Sequence, residues 1–572
     1  TKKEKDVLLD AIKASESGSI TISNPHAGLK LASTNPSISD FTSWGVTPDL
    51  KLKPEIAAPG GNIIAAVLGN TYRSMSGTSM ATPQVAGIAT LVRQRVNDDP
   101  AFAGLSEADK AAIVTTLMMG TAHPLLDIDQ NDGTYYSPRR VGAGQVDALA
   151  ATTTTVYPSV AGAENPWRPK ADLGEGTNGW TFQVTLTNVS DAAHTYTLGG
   201  QALSEIVEGG LFTEHSKNWA GQGIDLTYSA DSVTVPAKGT ATVTVTVTPQ
   251  GAFASYANEN APKGTFIDGA VTFTSADGQP DLTVPYMGFY GSWGAPAVFD
   301  GKWYDGTTST AHACSSTLMN PSTEVPLGAL NPLVGQEIDD VRAVDPAYFI
   351  MSRSALPEAP SRILPRTCLL RNSPKVTYTY TNEAGEVVRE YTFERARKSL
   401  FNYHASKVEP IESQEGNNPV FDGFDKDGKE LPAGRYKLTI DAASVAPSSV
   451  NSQLTWDFTL DTQAPVISNL AVTGEGDERV VSFDVTDNSP LAGIAFSESP
   501  TSRRYYDEKE AVGANRQADG TYAKHYEIKW ADLIDRADSS DPATAYLFAW
   551  DWGKNQARQV IRFRTIPLTS LS

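Results

Sequence analysis

Ser74-Met75-Ser76-Gly77-Thr78-Ser79-Met80-Ala81-Thr82-Pro83 is the stretch on which the reading of the fold turns. A glycine-containing turn delivers a hydroxyl to the start of an apolar run, in which Val85, Ile88, Ala89 and Val92 recur at helical spacing. The pattern predicts a helix from Ser79 to Arg95, with Pro83 tolerated in its first turn. At a helix start the backbone N–H groups lack intrahelical acceptors and the dipole favours negative charge. A serine placed there suits nucleophilic attack, because an oxyanion forming on the attacked carbonyl would meet the Ser79 N–H. The competing reading is that Thr78 or Ser79 merely caps the helix.

Around this stretch the chain alternates helices and strands. Val7, Leu8, Ala11 and Ile12 share a helical face, and Ser19 to Ser23 reads as a strand. Leu52 to Val67 reads as a strand, a Pro-Gly turn and a second strand. A further helix starts at Ser106, where Ser106 and Asp109 form a capping-box-like pair, and runs through Ile113, Val114, Leu117 and Met118. After about Ala150 the character changes to strands between Gly, Pro, Asn and Asp turns, with no helical segments expected among them. Trp180 to Thr187 and Ala241 to Val247 alternate with period two, as β-sandwich strands do. Module boundaries fall near Trp293–Pro296 and near Asp461–Pro465.

The bulk properties agree with several globular domains. The chain has 572 residues, of which 40% are hydrophobic and 20% charged. A net charge of −20 argues against nucleic acid as a partner, which needs clustered Lys and Arg. No apolar run is long enough for a membrane span, and Thr1-Lys2-Lys3-Glu4-Lys5 is not followed by a hydrophobic signal core. For Cys314 and Cys368 a disulfide and a pair of buried thiols stay equally open.

Gly77 to Pro83, followed by Val85-Ala86-Gly87, resembles the nucleophile signature of the subtilases, the subtilisin-like serine peptidases. Phe41-Thr42-Ser43-Trp44-Gly45 and Lys53 to Gly60 resemble two strand motifs of that family, and Gly142 to Ala148 resembles the segment closing its catalytic domain. The resemblance implies a catalytic Ser79, held in a nucleophile and oxyanion loop of Gly77, Thr78 and Ser79. The downstream modules resemble those of the large cell-envelope peptidases, of the lactocepin and complement-peptide-degrading types. In these a protease-associated domain is inserted in the subtilisin domain and fibronectin-III-like sandwiches follow. The implied fold is multidomain, with residues 1–23 ending an inserted protease-associated domain and 24–152 forming the C-terminal part of an α/β subtilisin-like catalytic domain. Three all-β fibronectin-III-like sandwiches follow, at 153–296, 297–462 and 463–572. The implied activity is extracellular, secreted or cell-wall attached, and directed at polypeptide substrates.

A serine peptidase also needs a base and an orienting carboxylate. In subtilases both precede the serine. None of the seven histidines, His26, His123, His194, His215, His312, His404 and His525, lies in the family's His-Gly-Thr-His context. His26 and His123 fall in the right domain but read as loop histidines. The expected partner is therefore an N-terminal part of the same protein carrying the triad Asp and His, and the chain alone is expected to be inactive. The rival reading is an extracellular adhesion or binding module built on the sandwiches, since such folds host many functions.

No cofactor is required by this chemistry, and no metal ligand is assigned. Asp127 to Gly133 partly resembles a calcium loop, but position six is Asp132 rather than Gly and a solvated acidic turn is the expectation. Asp422, Asp425 and Asp427 read as a hairpin turn. The Ser-Pro-Asn-Gly-Asp-Gly calcium motif common in the resembled group is missing from the corresponding stretch, Ser352 to Pro374, so structural calcium has no complete motif behind it. Trp550 to Asn555 reads as an edge turn whose aromatic residues pack.

Overall fold

Helical and strand periodicities each produce their own layer, in the order the sequence places them. The structure is a computed structural model and describes residues 36–307, 314–329, 344–402, 407–411, 418–475, 478–501, 504–510, 514–534 and 544–562. The expected helix and strand before Asn24, the inserted-domain segment 1–23, and His26, His312 and His404 lie outside these residues. Two compact units are present: Thr1–Pro296 with Ala446–Ser448, and Ala297–Val445 with Ser449–Ser572.

In the first unit an antiparallel hairpin, β1 (Ile63–Val67) and β2 (Thr71–Met75), leads into the long helix α1 (Thr78–Asp98). Only the second half of the Leu52–Val67 expectation forms a strand. Around Ala57 there is a single parallel bridge to Gln145, because a strand needs a partner to bond and the described residues offer Ala57 only that one. Helix α2 (Glu107–Gly120) packs on α1, and its Ser106 cap forms as expected, accepting from the Asp109 N–H at 3.1 Å. Asp109 varies the capping box: its carboxylate accepts from the Ser106 hydroxyl at 2.7 Å. The short helices α3 (Pro138–Val141) and α4 (Ala148–Thr153) follow, each with a side-chain cap, Ser137 and Asp147.

Helix α1 departs from expectation in two ways. It begins at Thr78 rather than Ser79, so Pro83 lies beyond the first turn. There Pro83 lacks the N–H that the Ser79 carbonyl would otherwise accept. Its start is Gly77, with no side-chain cap bond, which removes the reading of Thr78 or Ser79 as a capping residue.

The strands of the first sandwich form two sheets. One runs in the order β3 (Val156–Val160), β5 (Trp180–Asn188), β10 (Thr240–Pro249), β8 (Ile224–Tyr228). The other runs β4 (Ala171–Gly176), β12 (Leu282–Tyr290), β11 (Thr265–Ser275), β6 (His194–Glu208), β7 (Leu211–Asn218), with β9 (Ser232–Val235) also on β6. The period-two runs pair directly, Val184 opposite Val243 and Phe182 opposite Val245, and point Val184, Leu186, Val243 and Val245 into one core with Phe273 and Tyr286. A helix, α5 (Gly251–Asn260), lies among these strands, contrary to the all-strand expectation. Phe253 and Ala257, one turn apart, bury its inner face.

The second unit holds two further sandwich cores. The first contains a five-stranded sheet whose strands Ser373–Asn382, Gly434–Ala442 and Ser452–Asp461 are neighbours, closed over Tyr378, Tyr380, Phe421 and Trp456. Cys314 and Cys368 form a disulfide with Cα atoms 5.8 Å apart, which decides between the two open readings. The second core lies between a three-stranded sheet containing Val480–Asp487 and a four-stranded sheet containing Leu491–Ser497 and Thr544–Asp551. The short helix α6 (Trp530–Ile534) adds Trp530 and Leu533 to it.

Candidate active site

Ser79 stands on the first turn of α1, directly after the hairpin, because Gly77 can take a backbone shape that side-chain-bearing residues avoid. Its φ is 153°, which suits glycine. The Gly77 N–H donates to the Gly60 carbonyl at 2.8 Å and its own carbonyl accepts from Met80 at 2.9 Å. Gly60 is needed for that approach, since a Cβ there would sit 2.8 Å from the Gly77 oxygen. Two side-chain bonds hold the turn to the preceding loop: the Asn62 N–H donates to the Ser76 hydroxyl at 2.8 Å, and Gln84 Nε2 donates to the Pro59 carbonyl at 2.7 Å.

Of the three predicted site residues, Thr78 and Ser79 are exposed and Gly77 is half-buried. All three converge on the helix start. The Ser79 hydroxyl makes no hydrogen bond to any described residue, and the Thr78 and Ser79 N–H groups have no intrahelical acceptor, whereas Met80 already bonds Gly77. No acidic residue occupies that turn to compete for an anion. The arrangement can present a nucleophile and stabilise an oxyanion.

No described histidine is bonded to Ser79. His123 directs Nε2 to Asp147 Oδ2 at 2.9 Å, and Asp147 is itself the cap of α4. The turn from Asp127 to Gly133 is solvated as expected at Asp129, Asn131 and Asp132, but Asp127 departs from it, bonding His215 at 2.8 Å. Asp127 is buried, and Gln130 also donates to it at 2.9 Å. Burial raises its carboxyl, but the bonds from His215 and Gln130 prevail and hold it below its usual value. The hairpin at Asp425 forms as expected, its carboxylate accepting from the Asp427 and Lys429 N–H groups at 2.9 and 2.8 Å.

Residues 11–144 match the subtilase family, and residues 172–287 match an Fn3-like domain. The chain is 29% identical over 489 residues to the PII-type proteinase of Lactococcus lactis subsp. cremoris, covering 82% of this chain and 24% of that protein. It is 25% identical over 495 residues to the C5a peptidase of Streptococcus pyogenes, covering 77% and 41%. The chain thus spans about a quarter of the lactococcal relative and about two fifths of the streptococcal one.

The subtilase segment and the first Fn3-like sandwich share a buried polar junction that sequence reasoning missed. Arg139, 4% exposed, places Nε 2.6 Å from Asp268 Oδ2 and Nη2 2.7 Å from Glu205 Oε1. Ser137 donates to the same Asp268 oxygen at 2.5 Å, and the guanidinium lies 4.1 Å from the Phe266 ring centroid. The only sequence signal is Ser137-Pro138-Arg139-Arg140, a capped helix start carrying adjacent arginines. Its acidic partners are 66 and 129 residues downstream. The subtilase side of the segment is less covered. Ile64, Leu68, Tyr72 and Met75 of the hairpin are exposed, and along α1 only Val92 and Val96 are fully buried.

Proposed function

We propose that the protein to which this chain belongs is an extracellular serine endopeptidase, secreted or held at the cell wall, with Ser79 as its nucleophile. The observation that carries the reading is the exposed Ser79 hydroxyl, unbonded among the described residues, at the start of α1 within a segment that matches the subtilase family. Ser79 Oγ attacks the scissile carbonyl while a base takes its proton, and the Ser79 N–H donates to the resulting oxyanion. Collapse of the tetrahedral intermediate releases the amine and leaves an acyl-enzyme on Ser79, which water then hydrolyses.

The base and its orienting carboxylate come from an N-terminal part of the same protein, which docks on the exposed hairpin and the open half of α1. This chain is inactive without it. The exposed Ile64, Leu68 and Tyr72 support that docking, and so do relatives much longer than the chain. The proteinase and peptidase names of those relatives support a polypeptide substrate. The Cys314–Cys368 disulfide suits an oxidising, extracellular setting.

A fluorophosphonate probe tests the assignment. In the full-length protein it is expected to label Ser79, and Ser79→Ala is expected to lower peptidase turnover by about a thousandfold or more. Undiminished turnover in Ser79→Ala refutes the nucleophile. Efficient labelling of residues 1–572 alone refutes the need for a docked partner.

A further inference from the structure

Three carboxylates from distant points of the sequence meet in the second unit. Asp461, Asp487 and Asp551 are each the last residue of a strand, Ser452–Asp461, Val480–Asp487 and Thr544–Asp551. One oxygen from each lies within 4.8 Å of those of the other two. All three residues are buried, at 1%, 9% and 0% exposure. Among the described residues no Lys, Arg or His forms an ion pair with any of them.

Backbone donors fix how each carboxylate is turned. Asp461 Oδ1 accepts from the Gln463 N–H at 3.0 Å, Asp487 Oδ1 from Ser489 at 3.1 Å and Asp551 Oδ1 from Asn555 at 2.9 Å. Asn555 Nδ2 donates to Asp551 Oδ2 at 2.9 Å and reaches the Asp461 carbonyl at 3.3 Å. Asp461 Oδ2 and Asp487 Oδ2 are buried and receive no hydrogen bond from any described residue. Two bare, buried carboxylate oxygens beside a third carboxylate are costly unless a cation joins them.

We propose that Asp461, Asp487 and Asp551 bind a calcium ion that ties the strand end at Asp461 to the module that follows it. Calcium takes oxygen ligands at about 2.3–2.6 Å in flexible geometry, so oxygens on opposite sides of one ion stand about 4.6–5.2 Å apart. The three aspartates fit within that span. Magnesium, at about 2.0–2.1 Å and near-ideal octahedral, would require them to contract or keep several waters in a closed pocket. Asp461 precedes the linker to Val466, whereas Asp487 and Asp551 belong to the next core, so the ion fixes that linker.

Terbium, a luminescent calcium substitute, provides the test because Trp550 and Trp552 flank Asp551 and can sensitise it. The whole chain, stripped with EDTA, is expected to show tryptophan-excited terbium emission that excess calcium displaces. Calcium at about a hundred times its Kd is expected to raise the melting midpoint of the second unit by about 5–10 °C. Asp551→Asn and Asp487→Asn are each expected to lose the emission and the shift, while melting in EDTA no lower than the wild type. If Asp551→Asn misfolds, Asp487→Asn, whose side chain has fewer partners, carries the comparison. Absence of both signals in the wild type overturns the site, as does their persistence in both variants. An equal shift with magnesium overturns the choice of calcium.

Discussion

At Arg139 one guanidinium holds two buried carboxylates, and the physics of such a group is asymmetric. Burial alone lowers the pKa of the Arg139 guanidinium, but Glu205 and Asp268 more than restore it, so it stays charged. Removing the cation leaves Asp268 and Glu205 buried without it, and Arg139→Ala is expected to destabilise the first unit by about 3–5 kcal/mol. Urea unfolding checks this, and a loss under about 1 kcal/mol refutes a structural role for the triad. The Asp127–His215 pair makes a subtler prediction. The bond to Asp127 raises the His215 imidazole above its usual value, against burial. A raised histidine contributes stability that is full below its unfolded pKa and lost as pH rises through the folded one. The first unit is therefore expected to lose a little stability, less than about 1 kcal/mol after solvent screening, as pH rises above the ordinary histidine value of about 6.5. His215→Gln is expected to flatten that part of the profile, and an unchanged profile in the variant refutes the assignment.

Helix α1 shows what sequence reveals about an element and what it hides. Its existence is legible because Val85, Ile88, Ala89 and Val92 repeat at helical spacing, and period-two runs likewise announce β5 and β10. Its start is less legible, since Gly77 sets it by backbone conformation and no capping side chain marks it. That displacement puts Pro83 in the helix interior, where the Ser79 carbonyl lacks a donor. Pro83→Ala restores an N–H there and is expected to raise the stability of the first unit by about 1 kcal/mol or more, read as a higher melting midpoint. An unchanged or lower midpoint would show that the turn before Ser79 depends on the proline ring. Helix α5 is hidden for another reason: Gly251 to Asn260 is short and interrupts a strand-rich region, and only Phe253 and Ala257 mark its apolar face. Asp461, Asp487 and Asp551 each look like a turn residue at a strand end. Their convergence comes from sheet register, which no single segment contains.

At the scale of the whole molecule, each unit has its own source of strength or weakness. In the second unit Cys314 and Cys368 close a loop across 54 residues, and chain-entropy reasoning gives such a crosslink about 4 kcal/mol of stability. In the first unit the sandwich core is closed, whereas the hairpin before Ser79 is open, with Leu68 95% and Tyr72 77% exposed. A two-stranded hairpin is marginal in water without a third strand or a covering layer. Local opening therefore needs little free energy at β1 and β2, and proteases sample what opens. Brief digestion of residues 1–572 is expected to cut first between Gly61 and Ser76, while both the α2 region and β3 to β12 survive as large fragments. If the proposed N-terminal part docks on the hairpin and the open half of α1, adding it is expected to protect the same bonds. Resistance of β1 and β2 equal to that of the sandwich strands, in the chain alone, would mean the hairpin needs no cover and would remove the physical argument for a docked catalytic partner.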